Sequence, residues 1–262
     1  MRTFYAFLRK EGMEQIRSGR LLLLVLIFIL FGIMNPAMAK ITPWLMQTMS
    51  ESLESTGLTV GTVEIDALTS WTQYYKNMQM AVIIFVILVS NSLAKEYQSG
   101  TLILVVTKGL ARFKIMLAKT FMLLLTWTGC YWLCFGITYA YNAYFWDNGI
   151  ASNLLFAAVC YWLFGVWIVA LMMFFSALAK GNTLVLVGTG VIYAGSNLLA
   201  MFGKIAAYIP TKLTSGLALL TAETSMDDYY QAIGVTLVIS VAAIAAGVLI
   251  FNKRMLPAQR EG

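Results

Sequence analysis

Apolar residues in this chain come in long unbroken runs. Residues 21–34 read LLLLVLIFILFGIM, and comparable runs recur further along. A helix needs ~20 such residues to cross a hydrocarbon layer ~30 Å thick, and only helices or closed barrels satisfy their backbone polar groups there. The strands of an outer-membrane barrel would instead alternate over segments of roughly ten residues. The pattern predicts an all-α membrane protein with six transmembrane helices near residues 21–39, 78–95, 115–137, 153–178, 183–203 and 232–251. Ahead of the first run, Phe4, Phe7, Leu8 and Ile16 are interspersed among Arg9, Lys10, Glu14 and Arg17. Such a mixture suits an amphipathic helix lying in the membrane interface. Its length argues that the first span is kept as a helix, although Ala37, Met38 and Ala39 resemble a signal-peptide cleavage pattern.

Composition agrees with the runs. The chain is 60% hydrophobic and 11% charged, against roughly 25% charged in a soluble domain. Its net charge of +6 is not spread evenly. With the N-terminus inside, Arg2, Arg9, Lys10, Arg17, Arg20, Lys95, Lys108, Arg112, Lys114, Lys119, Lys180, Lys253, Arg254 and Arg260 all fall on the inner side. Only Lys40, Lys76, Lys204 and Lys212 fall outside, together with eight of the twelve acids. Basic residues near span ends stay cytoplasmic, so both termini are expected inside, and topology accounts for the basic charge without nucleic acid.

Little reaction chemistry is available. The chain has no histidine, which removes zinc-dependent and most acid–base schemes. Cys130 and Cys134 share a helical face in the third span and Cys160 lies in the fourth; they are expected to be buried as small apolar side chains. No phosphate-binding loop ending in Lys-Ser or Lys-Thr occurs. Glu96, Lys119 and Lys180 sit at predicted span ends, where an ion-coupled carrier would place charge near the midplane. Uphill transport by this chain would need energy from another one.

Polar residues within or beside the spans are the candidates for lining a pathway: Ser90 and Asn91 at the end of the second, and Ser196 and Asn197 in the fifth, among Gly188, Gly190 and Gly195. Small residues allow close helix approach and amides can bond across it. The walls are otherwise apolar, which suits lipid-like or amphipathic cargo better than sugars or ions. Residues 40–77 form the extended outer segment, with Trp44, Trp71, Tyr74 and Tyr75 at interfacial positions.

The segment after the second span is the most specific. Glu96 is followed by Gly100 and Thr101 in a Glu-x-x-x-Gly-Thr pattern, then by a basic turn, Lys108, Arg112 and Lys114, and by Lys119 at the entrance of the third span. Gly100 offers a break and Thr101 an N-cap for a short helix. This arrangement resembles the membrane subunit of ABC-2 type ATP-binding-cassette transporters over essentially the whole chain. The resemblance implies that residues 1–20 are an N-terminal elbow helix and that residues 96–114 are a cytoplasmic coupling segment docking on an ATPase. The coupling residues it implies are Glu96, Gly100, Thr101, Arg112 and Lys119. Many members carry a proline in the following turn, where this chain has Lys108 and Gly109.

By the same resemblance, residues 1–262 form a single domain acting as permease subunit of an exporter in a bacterial plasma membrane. It would be dimeric with a like or sister subunit, in contact with membrane lipid. It would have no cofactor of its own, ATP and magnesium being bound by separate ABC ATPase subunits. The alternative from another class is a passive membrane scaffold or accessory subunit.

Overall fold

The computed structural model describes residues 2–54, 66–91, 111–179 and 181–253. Among these there are helices and turns but no strand, as the continuous apolar runs predict. The helices are α1 (Arg2–Arg17), α2 (Arg20–Glu54), α3 (Ala67–Val89), α4 (Arg112–Phe145), α5 (Leu154–Leu178) and α6 (Asn182–Ala200). Two short helices, α7 (Gly203–Ala206) and α8 (Gly216–Leu220), follow, and α9 (Asp227–Lys253) closes the described chain.

Five helices are long and apolar enough to cross a membrane: α2 over Arg20–Trp44, α4, α5, α6 and α9. The second predicted span, 78–95, falls on α3, which is not among the five. Its first half carries Gln73, Lys76, Asn77 and Gln79, and its apolar run begins only at Met80. The remainder of that predicted span, from residue 92, lies outside the described residues. The ends of α2 and α4 also differ from expectation. At 1.5 Å per residue, their 35 and 34 residues extend about 50 Å, well beyond a ~30 Å apolar layer. Residues 40–54, expected in the outer loop, are thus a helical continuation of α2.

Local chemistry sets several boundaries. Gly19, at φ +70, lets the chain leave α1 and re-enter a helix at Arg20. Asp66 caps α3, its carboxylate accepting from the Thr69 backbone N–H at 2.9 Å. Asp147 does the same for the 3₁₀ turn Asn148–Ile150 through Gly149. Asn153 adopts a left-handed conformation before α5, which asparagine tolerates better than most residues.

α5 is apolar on all sides, and such a helix belongs in the interior. Of the residues in its most apolar stretch 72% are buried, against 17% in those of α6 and α9, and it packs on α3, α4, α6, α8 and α9. Trp127 of α4 lies against Gly165 of α5, its indole N–H donating to the Trp162 carbonyl at 3.0 Å. Tyr131 donates to the Ala158 carbonyl at 2.7 Å. The three cysteines are buried and free, as expected. α9 turns Ala232, Thr236, Ser240 and Gly247 inward, a stripe of small residues suited to close helix contact.

α2 and α4 approach so closely at Gly32 that a Cβ there would lie 3.0 Å from the Ile137 Cβ. Four residues later Pro36 stands inside α2. It lacks the N–H that would have bonded the Gly32 carbonyl. Thr138 of α4 replaces that donor, its hydroxyl reaching the Gly32 oxygen at 3.1 Å. The same hydroxyl accepts from Asn35 Nδ2 at 3.2 Å, and Asn35 Oδ1 accepts from Asn77 Nδ2 of α3 at 2.8 Å. One directional chain of hydrogen bonds therefore ties α3 to α2 to α4, with Asn35 and Thr138 buried.

Thr138→Val keeps the shape but leaves the Gly32 carbonyl and the Asn35 amide without their partner, at a cost of about 1–3 kcal/mol. Thermal unfolding in detergent should show a lower midpoint for Thr138→Val and a near-native one for Thr138→Ser. Equal midpoints for the valine variant and the native chain would refute the role given to this hydroxyl.

Candidate coupling site at the start of α4

The residues predicted to couple the chain to an ATPase fall into two groups. Glu96, Gly100 and Thr101 lie outside the described residues. Arg112 and Lys119 are on the first two turns of α4. Arg112 is half-buried as the first helical residue. Ala111 precedes it in an extended conformation, its carbonyl accepting from the Lys114 N–H at 2.9 Å.

Lys119 is 2% exposed. Its Nζ lies 2.8 Å from Oε2 of Glu11 on α1, itself 3% exposed. The other Glu11 oxygen is 3.2 Å from Lys10 Nζ, which also lies 3.1 Å from Glu14. One turn further along α1 and two turns further along α4, Thr126 donates to Gln15 Oε1 at 2.9 Å. Phe7, at 6% exposure, completes the buried face of α1. The helix is thus seated against α4 and α2, and its buried stripe, Phe4, Phe7, Leu8, Glu11 and Gln15, mixes apolar and polar residues. Ile16, expected on an apolar face, is exposed.

Such a pair is a clamp more than a source of stability. Charges taken out of water recover their solvation through their partners, and removing one is costly, whereas replacing both by apolar groups is often neutral. Glu11 carried no signal by residue type, since acids among cations are common on surface helices. Its position did carry one: it falls at three- and four-residue spacing from Phe7, Leu8 and Gln15, within the stripe that packs inward.

Three of the four candidate pathway residues bond within their own helix. Ser90 Oγ donates to the Ile87 carbonyl at 3.1 Å and is 2% exposed. Asn91, half-buried, has an Oδ1 atom with no hydrogen bond among the described residues. Ser196 and Asn197 return their side chains to the Ile192 and Tyr193 carbonyls of their own helix at 2.8 and 2.9 Å. No hydrogen bond among the described residues joins the α3 pair to the α6 pair.

A family model described as ABC-2 family transporter protein matches residues 5–243. The match runs from α1 well into α9. The chain belongs to the ABC-2 transporter family. It is accordingly a multi-pass membrane transport component of permease type, a class that is not itself catalytic and that typically works with ABC ATPases. A search of curated proteins gives no significant match. In the ABC-2 protein α4 begins within residues 96–114, the stretch for which the resemblance implies coupling, and its first turns bear the residue on which α1 is clamped.

Glu11→Ala leaves Lys119 buried without its nearest carboxylate, and should weaken the seating of α1 by about 3–5 kcal/mol. Limited proteolysis of the purified protein should then cut within residues 2–20 at a much higher rate. The paired replacement Glu11→Leu with Lys119→Met should restore most of the protection. A double variant as labile as the single one would show that the charges, not the packing, hold the helix.

Proposed function

We propose that the chain is the permease subunit of an ATP-driven exporter, forming the substrate path as a dimer and driven by separate ABC ATPase subunits. In this reading α3 is a sixth span, both termini are cytoplasmic, α1 is the elbow helix, and residues 96–114 dock on the ATPase. The observation that carries it is the family match over residues 5–243, because it covers the span helices and the coupling segment together. The inner-side excess of Lys and Arg supports the orientation.

The clamp gives the reading a mechanical form. A bundle without a nucleotide site changes its state populations only through a partner that binds the two states differently. A push on residues 96–111 reaches α4 at Arg112, and the Glu11–Lys119 pair at 2.8 Å makes α1 move with the foot of α4. α4 leads through Trp127 and Tyr131 into α5, the most buried span. Displacement at one end of α4 is thereby delivered to the centre of the bundle by rigid packing, which has few soft adjustments.

Two measurements test this. Replacing the partner's phosphate-loop lysine should abolish transport while the permease still inserts. Gly100→Val and Glu96→Ala should keep normal membrane levels while lowering ATPase association or uncoupling hydrolysis, with transport lost. Full transport with the ATPase disabled would point to a carrier, and unchanged complex formation and transport in both variants would remove the coupling site from this segment.

Orientation has its own check. Single cysteines at Ser55 and Ser99, in a background without Cys130, Cys134 and Cys160, should react with an impermeant thiol reagent in intact cells at position 55 alone. Labelling of position 99 would invert the topology.

A further inference from the structure

Beside the clamp, α1 and α4 diverge and leave a groove. Phe4, Tyr5, Leu8 and Arg9 form one wall, and Leu117, Phe121 and Met122 the other. Its volume is about 730 Å³, within the ~300–1,000 Å³ of small-ligand sites. Phe4 and Leu8 rest on the core and give it an apolar floor. Leu117 and Phe121 are exposed on α4, one of the span helices, so the groove opens sideways to the surroundings of that helix. In a membrane those surroundings are lipid.

Charge identifies the occupant further. Among the lining residues Arg9 alone is charged, and it is exposed at the lip. The nearby acids of α1 are engaged elsewhere: Glu11 by Lys119 and Lys10, and Glu14 by Lys10. Among the described residues Arg9 has no carboxylate at ion-pair distance. An apolar trough ending at an uncompensated guanidinium matches an acyl chain ending at a phosphate, and arginine's fork of donors suits phosphate oxygens.

We infer that the groove is a binding site for one anionic phospholipid, its acyl chain laid against Phe4, Leu8, Phe121 and Met122 and its headgroup phosphate paired with Arg9. The inference requires only that α4 spans the membrane, and it is independent of whether the chain exports anything. A bound lipid would wedge α1 against α4 on the side opposite the solvent, adding to the seating that the Glu11–Lys119 pair provides.

The test uses the full chain purified in mild detergent with any subunit that accompanies it. Native mass spectrometry after incubation with phosphatidylglycerol, or with phosphatidylcholine of the same acyl chains, should show one phosphatidylglycerol retained per chain in preference to phosphatidylcholine. Arg9→Gln should lower that retention roughly fivefold, the worth of one cation at a lipid surface, while Arg17→Gln on the same helix should leave it unchanged. Equal losses for both variants would mean diffuse attraction to the helix and would overturn the site, as would retention without headgroup preference. Phosphatidylglycerol carrying a photoreactive acyl chain supplies a reading on the native chain, independent of how Arg9→Gln folds. Crosslinks within residues 4–8 and 117–122 support the site. Crosslinks confined to other helices, or a protein segment captured there instead, refute it.

Discussion

A proline inside a membrane helix creates a carbonyl that neither its own helix nor water can satisfy, and the fold of this protein is organised around one such carbonyl. Pro36 frees the oxygen of Gly32, and Thr138 of the neighbouring helix supplies the missing donor at 3.1 Å. The demand is strict because an unsatisfied polar group in hydrocarbon costs several kcal/mol. It also fixes register. Thr138 reaches Gly32 only where α2 and α4 nearly touch, and the glycine permits that approach. Asn35 and Asn77 extend the same chain of donors to α3, so three helices are held in alignment by hydrogen bonds each of which needs the next.

α4 carries two polar fixings of the first half of the bundle, one toward each end. Thr138 lies near one end and Lys119 near the other, about 28 Å apart along the axis at 1.5 Å per residue. Between them the helix turns Trp127, Cys130, Tyr131 and Cys134 inward. The upper fixing is neutral and the lower one ionic, in keeping with their surroundings. Charges are costly at depth and are tolerated toward helix ends, where long side chains find partners and water. A helix anchored at both ends and packed between transmits displacement along its length, which is the property the proposed coupling role requires.

The second half is held differently. α5 and α9 meet through small residues, and the connection between α6 and α9 folds back on the bundle. Leu213, Leu219 and Leu220 are buried, Tyr229 donates to the Ser215 carbonyl at 2.8 Å, and Lys212 lies over the Tyr229 ring. Here close contact and dispersion, more than polar chains, secure the arrangement. The ABC-2 family match runs through both halves.

Helix content, the positions of five spans and the burial of the cysteines were legible in the chain itself, because lipid solvation imposes long apolar runs and leaves little choice of backbone structure. The Glu-x-x-x-Gly-Thr pattern and the basic turn after it pointed to the family for a similar reason: they are local features, readable without neighbours. Other features depend on which helix faces which. Glu11 looked like one more surface acid among cations until α1 was seated on α4 and Lys119 came within 2.8 Å. Nothing local to Asn35 and Pro36 names their partners on other helices, and only the approach of Thr138 and Asn77 gives the pair its purpose. Leu45, Met49 and Leu53 stand at helical spacing, but that residues 40–54 continue α2 without a break is not readable from hydropathy, which registers the edge of the apolar run and not the end of the helix. Solvent sets a one-dimensional pattern and can be read from one chain of letters, whereas partners in a buried hydrogen bond or ion pair are chosen by three-dimensional packing between residues a hundred positions apart.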